Sequence, residues 1–408
     1  MMKKVFSNKN RLNHTENKQA QREIYLDNAA TTRIDERVLE AMIPYFRKDY
    51  GNASSSHAFG KQAKRALEQS RSVIAHAINA EKDEIYFTSG GTESNNLALK
   101  GLFYGNYPKK NHIITTKIEH ASVINVCEWL KTQGAKITYL DVDSEGFIDL
   151  KQLEKAITKK TIVVSIIHAN NEIGTIQDLK AIGEICSKKG VLFHTDACQS
   201  FTKSFIDVKQ QKIDLMTLNA HKIHGPKGVG AIYIKKGIEA HVVPVQHGGG
   251  HENGIRSGTE NVAGVVGFAR AVEISNSLDV QRMSELRDKL IKGVLKLPGI
   301  RLNGPKEGKK RLCNNANFIF KELDGEAVGE FLQSYGVYTS TGSACLSHSQ
   351  GPNHVLIALG CSLDDVGNAI RITLSKYTAE KEIDFVLEML PKVIKRIKEI
   401  ESVFKTKK

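Results

Sequence analysis

The chain has 408 residues, of which 40% are hydrophobic and 25% are charged. This ordinary globular composition excludes a disordered or low-complexity chain, and no run approaches the roughly 18 uncharged apolar residues that a membrane-spanning helix needs. The 58 Lys and Arg residues outnumber the 45 Asp and Glu residues, for a net charge of +13. The basic residues are scattered, so we expect a solvated basic surface and no direct nucleic-acid binding.

The six cysteines lie at positions 127, 186, 198, 313, 345 and 361, and none forms a CxxC pair. This spacing argues against a zinc site, a dithiol redox motif or a disulfide framework, and it favours a reducing, cytoplasmic environment. Residues 1–22 are polar and basic, without an apolar core. We interpret them as a flexible tail, with an organelle transit peptide and an organelle matrix location as the alternative.

Short apolar runs alternate with helical patterns from about residue 27 to residue 236. Helices are predicted at 61–79, after residue 92, and near 121–133, 149–157 and 178–189. Strands are predicted at 84–88, 112–116, 136–142, 161–169, 191–197, 214–220 and 229–235. Buried strands that alternate with helices predict an α/β fold with a mostly parallel sheet of seven strands, covered on both faces.

The pattern changes beyond about residue 275. Helices are predicted near 280–296, 324–335 and 378–400, with strands at 316–320 and 370–375. We therefore predict a large domain over 35–275 and a smaller α+β domain formed by 23–34 and 276–408.

Polar clusters follow the predicted strands, where α/β sheets bind their ligands. SGGTESNN at 89–96 joins two glycines to a helix start, which either holds a phosphate or forms a plain turn with a Thr cap. Asp196 ends another strand and either pairs with a protonated ring nitrogen or forms a cap or core salt bridge. His120 either stacks on a planar ring and moves a proton or is an ordinary histidine.

Lys222 follows the strand at 214–220 and precedes a loop rich in Gly and Pro. A Schiff-base lysine must be desolvated or lie near positive charge to become nucleophilic, and the alternative is a surface lysine in a turn. A phosphate cradle, a stacking histidine, a carboxylate and a strand-end lysine are together what pyridoxal 5′-phosphate (PLP) requires. Their order along one α/β domain therefore predicts a PLP-binding protein.

The chain also carries a series of ordered motifs from about Tyr25 to about Ile400. They are YLDNAATT (25–32), SGGTESNN (89–96), EHASV (119–123), HANNEIG (168–174), HTDACQS (194–200), HKIHGPKG (221–228), GGGHENGIRSGTEN (248–261), STGSACLS (340–347) and AIRITLSKYTAEKEID (369–384). In these motifs the sequence resembles the PLP-dependent cysteine desulfurases of the iron–sulfur-cluster and nitrogen-fixation type, in the class V aminotransferase family. The resemblance implies PLP fold type I and a homodimer.

The resemblance also implies a role for each matching cofactor residue. Lys222 would form the Schiff base, His120 would stack on the ring and assist proton transfer, and Asp196 would pair with the ring nitrogen. The remaining implied cofactor contacts are Gln199 with the phenolic oxygen, Gly91, Thr92, Asn219 and His221 around the phosphate, Asn171 beside the cofactor, and Thr259 with the phosphate of the partner subunit.

For the substrate, the resemblance implies that Asn171 and Arg371 hold the carboxylate and that Cys345 is the persulfide-carrying nucleophile. Cys345 also lies in a small, polar, Gly-containing segment, which reads as an exposed loop suited to a reactive thiol. Two departures from the family pattern stand near the proposed ring: Asn219 replaces a usual serine, and Cys198 adds a second thiol.

The predicted activity is desulfuration of L-cysteine to L-alanine, with the α-proton removed by Lys222 or His120. The sulfur would be captured as a persulfide on Cys345 and passed to acceptor proteins, such as an iron–sulfur scaffold, or to tRNA thiolation. The alternatives are a selenocysteine lyase and a catalytically silent sulfur-transfer scaffold. We predict no metal site: His247 and His251 flank three glycines, which favours a cofactor-side loop over metal ligation.

Overall fold

The computed structural model describes residues 23–306, 308–341 and 352–405. The predicted N-terminal tail and Cys345 lie outside these ranges. The strands are β1 (Ile24–Tyr25), β2 (Ile85–Thr88), β3 (His112–Thr116), β4 (Lys136–Leu140), β5 (Thr161–Ser165), β6 (Leu192–Asp196), β7 (Leu215–Asn219), β8 (Gly230–Ile234), β9 (Ile300–Asn303), β10 (Asn315–Phe320), β11 (Val337–Tyr338), β12 (Ser340–Thr341) and β13 (Ala369–Thr373).

The helices alternate with the strands through the first two thirds of the chain. They are α1 (Glu36–Arg47), α2 (Ala58–His76), α3 (Gly91–Asn106), α4 (Ala121–Thr132), α5 (Leu150–Ala156), α6 (Leu179–Lys189), α7 (Val262–Glu273), α8 (Ser277–Val294), α9 (Gly325–Ser334), α10 (His354–Ala358), α11 (Leu363–Gly367) and α12 (Glu380–Lys405).

A seven-stranded sheet forms the centre of the molecule, in the order β2-β8-β7-β6-β5-β3-β4. The pairs between β7, β6, β5, β3 and β4 are parallel, whereas β8 runs antiparallel to both β7 and β2. Every residue of β3, β5 and β7 is buried, because helices cover both faces and form one apolar core on each side. The predicted mostly parallel, seven-stranded α/β fold is confirmed.

The predicted elements differ from the observed ones mainly at their ends. The run at 161–169 leaves the ladder after Ser165, although His168 N still bonds the carbonyl oxygen of Asp196 at 3.0 Å. The helix predicted at 61–79 begins earlier, at Ala58, because the side chain of His57 accepts a hydrogen bond from Gly60 N and caps it. The segment between Ser165 and Leu179 is therefore a loop that follows the end of β5.

A second sheet, β12-β13-β10-β9, is antiparallel throughout and packs against α8, α9 and α12. Its apolar core is separate from the two cores of the central sheet and includes Ile24 and Leu26 from the start of the described chain. Strand β1 pairs in parallel with β11, which ties that start to this region. The exact domain boundaries at 34 and 275 stay a prediction.

Within the described ranges, no helix is long and apolar enough to cross a bilayer. Within the same ranges no three His, Cys, Asp or Glu side chains are grouped so that they could ligate a metal ion.

Candidate active site

A cavity of about 400 Å³ opens at the carboxyl ends of the parallel strands. Ten of the predicted site residues line it: Gly91, Thr92, His120, Asn171, Asp196, Gln199, Asn219, His221, Lys222 and Arg371. Sequence analysis did not assign the remaining lining residues to the site, and they are Ala29, Ala30, Ser122, Ile167 and Cys198. One cavity therefore gathers residues that lie up to 342 positions apart, from Ala29 to Arg371.

The start of α3 forms one end of this cavity. No side chain among the residues that the structure describes caps the helix start, so its first backbone N–H groups are available to an anion. Gly91 is required by close packing, since a Cβ at this position would lie 2.6 Å from Cys198 Sγ. His221 lines the same cavity. Burial lowers the pKa of His221 to about 4, so this imidazole is neutral at physiological pH.

The turn between β2 and α3 lies directly on the neighbouring strand β8. Gly90 has φ of +152°, a conformation that a side chain disfavours. A Cβ on Gly230 would lie 2.6 Å from the carbonyl oxygen of Leu218 and 2.7 Å from the Cα of Gly90. Two bare glycine backbones therefore let the helix start approach the sheet closely.

Asp196 ends β6 and is only 4% exposed. Its Oδ1 accepts a hydrogen bond from Cys198 N at 2.9 Å, and its Oδ2 accepts one from Asn95 Nδ2 at 2.8 Å. Among the described residues it forms no ion pair with Lys or Arg. A buried carboxylate that lines a cavity without a protein cation is suited to a protonated ring nitrogen.

Lys222 follows β7, and its Nζ donates hydrogen bonds to the carbonyl oxygens of Ala29 and Ala30. Burial lowers the pKa of Lys222 to about 8, and the positive charges of Lys203 and Arg371 act in the same direction. At that pKa about one molecule in ten carries a neutral amine at pH 7, against about one in 2,500 for an ordinary lysine. The desolvation that a Schiff-base lysine requires is thus present.

Lys203 is a cation near the cavity that sequence analysis missed. Its Nζ is buried and has no hydrogen-bond partner in the part of the chain that the structure describes. Burial lowers the pKa of Lys203. Its position in the HTDACQSFTK run, four residues after Gln199, was the available signal.

His120 stands at the N-terminus of α4, where its Nδ1 accepts a hydrogen bond from Ser122 N at 3.1 Å. Burial lowers the pKa of His120. The preceding Glu119 is fully buried, with Oε1 accepting from Thr116 Oγ1 at 2.7 Å and from Ile167 N at 2.9 Å. Burial raises the pKa of Glu119 to about 8, so this carboxyl is largely protonated at neutral pH.

Arg371 reaches the cavity from β13 of the second sheet. Its guanidinium forms an ion pair with Asp27 at 2.8 Å and another with Glu172. Glu172 also accepts a hydrogen bond from Asn171 Nδ2 at 2.7 Å, while Arg371 Nε has no partner among the described side chains and backbone groups. Sequence analysis missed Asp27 and Glu172, although both lie inside the motifs YLDNAATT and HANNEIG.

Two other predicted residues, Gln199 and Asn219, and the nearby Cys198 differ in their surroundings. Gln199 Nε2 donates to the carbonyl oxygen of Ala29 at 2.9 Å. Asn219 is buried, and its Oδ1 has no hydrogen-bond partner within the described ranges. Burial raises the pKa of the Cys198 thiol, with the neighbouring Asp196 acting in the same direction, so this thiol is protonated at neutral pH.

Thr259 is exposed and does not line the cavity of its own chain. The loop that carries it is anchored by the buried Glu252, which pairs with Arg71 at 2.7 Å and accepts a hydrogen bond from Phe87 N at 2.8 Å. The predicted contact of Thr259 with a partner subunit stays a prediction, and so does the role of Cys345 outside the described residues.

Three comparisons with known proteins are informative. The family model described as aminotransferase class-V matches residues 24–386. The chain is 45% identical over 387 residues to "Cysteine desulfurase IscS" of Clostridium botulinum, covering 94% of this chain and 97% of the relative. A solved structure described as a "NIFS-LIKE PROTEIN" superposes with a TM-score of 0.85 at 39% identity, covering 92% of this chain and all of that chain.

A second solved structure, "SspA in complex with cysteine", has a TM-score of 0.78 and 37% identity. It covers 87% of this chain and 100% of that chain. The likeness to these proteins therefore extends over nearly all of the described residues, including both sheets and the cavity between their edges.

Proposed function

The chain belongs to the class-V aminotransferase family and, within it, to the cysteine desulfurases, and from this premise we propose how its residues mobilise sulfur. The enzyme is a PLP-dependent sulfurtransferase that converts L-cysteine to L-alanine. The observation that carries the proposal is the cavity that contains Lys222, Asp196, His120 and the start of α3 together with Arg371.

The residues present fit PLP. Asp196 is a buried carboxylate that pairs with no Lys or Arg of the described ranges and would hold the ring nitrogen, and the N-terminus of α3 would hold the phosphate. Lys222 is desolvated and would hold the cofactor covalently. When bound, PLP supplies an electron sink that stabilises negative charge on the substrate carbon.

Arg371 is proposed to orient the substrate through its carboxylate. Asp27 and Glu172 hold the guanidinium from two sides, and Nε, which bonds no group in the described part of the chain, leaves a donor for the incoming carboxylate. Lys222 Nζ, with its pKa lowered to about 8, is close enough to neutrality to accept a proton from the substrate. The residue that binds the substrate carboxylate and the residue that removes the proton thus belong to different sheets, although both line the same cavity.

Cys345 is proposed to take the sulfur. Its thiolate forms a bond to the substrate sulfur as the carbon–sulfur bond breaks, and the bonding electron pair stays with the substrate carbon, which then takes up a proton. The product is alanine, and the enzyme keeps a persulfide. Acceptor proteins such as an iron–sulfur scaffold would then remove it, and a homodimer in the cytoplasm is part of the same proposal.

Sulfur transfer from radiolabelled cysteine tests the proposal. The wild-type protein is expected to gain a reductant-labile label and to release alanine, whereas Cys345→Ser should bind PLP normally and gain no label. Lys222→Ala should lose both sulfur labelling and alanine release, each by about 10²- to 10⁴-fold, because it lacks the covalent attachment to PLP and the base.

The matched control for Cys345→Ser is Cys361→Ser, which changes a partly exposed cysteine elsewhere. It should label like the wild type. Persistent labelling of Cys345→Ser, or its loss in Cys198→Ser alone, would contradict the assignment of Cys345. Turnover of selenocysteine by Cys345→Ser without turnover of cysteine would identify a lyase-type elimination that needs no enzyme thiol.

A further inference from the structure

A buried chain of hydrogen bonds connects His120 with Asp196. His120 Nδ1 lies 2.8 Å from Ser122 Oγ, Ser122 Oγ lies 2.8 Å from Asn95 Nδ2, and the same Nδ2 lies 2.8 Å from Asp196 Oδ2. Asn95 is fully buried. The two groups predicted to contact opposite features of the cofactor ring are therefore joined through α3 and α4.

The direction of each hydrogen bond in this chain follows from its ends. A carboxylate only accepts, so the amide group of Asn95 must turn its NH₂ toward Asp196. The second hydrogen of that NH₂ points to Ser122 Oγ. Because Ser122 Oγ accepts there, its own hydroxyl hydrogen is available to donate to His120 Nδ1.

A second donor reaches the same ring nitrogen independently. Ser122 N lies 3.1 Å from His120 Nδ1, and a backbone N–H can only donate. Because a backbone donor and a hydroxyl donor are both directed at Nδ1, this nitrogen must act as an acceptor and carries no proton. The neutral imidazole must then carry its hydrogen on Nε2.

We infer that Asn95 and Ser122 are positioning residues that hold His120 as the neutral Nε2–H tautomer, so that His120 offers the cavity a hydrogen-bond donor and does not accept the substrate α-proton. The inference rests on the proposed function for its catalytic meaning. It leaves Lys222 as the base and resolves the alternative that the sequence left open. No described residue bonds Nε2, so this donor faces the cavity.

The charged and titratable groups around His120 do not reverse the preference of its imidazole for the neutral form. Asp196 from β6 and Glu172 from the loop after β5 favour its protonated form, whereas Lys222 and His354 oppose it. Burial is the largest influence and lowers the pKa of His120. A charged imidazole would also place an Nδ1–H against the N–H of Ser122, which the geometry disfavours.

The tautomer is directly measurable by NMR of protein with ¹⁵N-labelled histidine, with and without PLP. His120 is assigned by the signal that disappears in His120→Gln. The expected result is a protonated Nε2 and an unprotonated Nδ1 across the neutral pH range. A proton on Nδ1, or an imidazolium at neutral pH, would overturn the inference whatever the enzyme's activity.

Variants separate positioning from general structural damage. Asn95→Ala removes the donor that orients the Ser122 hydroxyl, so a minor population with the proton on Nδ1 should appear and the pKa of His120 should rise, while Ser122 N–H still favours the Nε2–H tautomer. Asn96→Ala is the matched control, since Asn96 occupies the next position of α3 and donates to the carbonyl oxygen of Thr92 instead. An unchanged tautomer in Asn95→Ala would remove Asn95 from the proposed role.

The pH dependence of turnover gives a second readout. His120→Gln removes the titrating ring but keeps an amide donor, so kcat should fall while the acidic limb of the kcat/KM profile stays in place. Disappearance of that limb would show that His120 is the titrating base. Because the NMR experiment needs no turnover, failure of this inference is distinguishable from failure of the proposed desulfurase activity.

Discussion

The central sheet and the second sheet supply the cavity in opposite ways. In the central sheet, β7 ends in Asn219, whose buried Oδ1 lines the cavity and lacks a hydrogen-bond partner among the described residues. The second sheet supplies Arg371 from within β13, and that guanidinium is already paired with Asp27 and Glu172. The central sheet thus offers an unused acceptor to a ligand, and the second sheet presents a guanidinium whose position is fixed before the substrate binds.

This difference has a physical basis. Partnerless buried polar atoms cost folding free energy and are retained where a ligand completes them. A guanidinium that is buried needs counter-charges before any substrate arrives, because an unpaired buried charge is far more costly. The comparison teaches that the central sheet offers the cofactor vacant hydrogen-bonding groups, whereas the second sheet first fixes the Arg371 guanidinium with two carboxylates and keeps only its Nε, which has no partner among the described residues, for the substrate.

The strongest test of this comparison removes the cation. Arg371→Met should raise KM for cysteine by about 10- to 100-fold, because a hydrogen bond to a charged group contributes about 1.5–3 kcal/mol. PLP binding should change little, since the cofactor contacts lie on the central sheet. Steady-state kinetics and a PLP titration measure the two effects separately.

Arg301→Met is the matched control for this change. Arg301 lies in β9 of the same sheet, is half exposed and pairs with Asp365 at 3.5 Å. It should leave KM unchanged. Equal effects of the two variants, or a loss of PLP binding in Arg371→Met, would show that the two regions do not divide the work as described.

A smaller effect is expected on the cofactor side. Gly91→Ala would place a Cβ 2.6 Å from Cys198 Sγ, and overpacking of this kind costs about 1–3 kcal/mol, so PLP affinity should fall about tenfold or more. Adding Cys198→Ala removes the sulfur and should restore most of the affinity. PLP titration of the single and double variants measures this.

Cys186→Ala serves as the control, because Cys186 is a buried cysteine of α6 that does not line the cavity. It should not rescue Gly91→Ala. If the Gly91→Ala and Cys198→Ala double variant binds PLP as weakly as the single one, the contact between these two positions is not what makes glycine necessary.

The last prediction concerns acid stability and not ligand binding. Burial lowers the pKa of His168 and His194 to about 4, below their ordinary value of 6.5. The unfolded chain takes up protons near 6.5 while the folded chain does not, so stability is fully present above that pH and falls as the pH approaches 4. The loss should reach about 1.4 kcal/mol per pH unit for each histidine.

Hydrogen exchange with falling pH locates this loss. Both histidines belong to the central sheet region, so amides of β5, β6 and β7 should lose protection before those of β9 and β10. His194→Gln should reduce the pH dependence of the free energy of unfolding. Simultaneous loss of protection in both sheets would show that the two regions unfold as one cooperative unit.

Strand-end polar clusters made the central half of the site predictable. Asp196, Asn219 and Lys222 each follow an apolar run of the sequence, and parallel strands bring such ends to one edge. No comparable local signal marks Asp27 as the partner of Arg371. The two are 344 positions apart, and their contact depends on how β13 packs against the start of the chain.

Sequence analysis missed some elements that carried a local signal and others that carried none. Helix α1 belongs to the first kind, because Asp35 caps its start and its buried residues Val38 and Met42 lie four positions apart, at helical spacing. Strands β1 and β11 have two residues each and exist only because they pair with each other. The hydrogen-bond chain through Asn95 was likewise invisible, since its four members come from three separate segments.

The close approach of Gly230 to Gly90 limits how this gene can change. Every replacement of glycine by another amino acid introduces a Cβ, and a Cβ at position 230 would lie 2.6 Å from the carbonyl oxygen of Leu218 and 2.7 Å from Gly90 Cα. No rotamer choice relieves a collision between a Cβ and backbone atoms. Among the descendants of this sequence, position 230 is therefore expected to stay glycine even where the surrounding strand residues drift freely among apolar types.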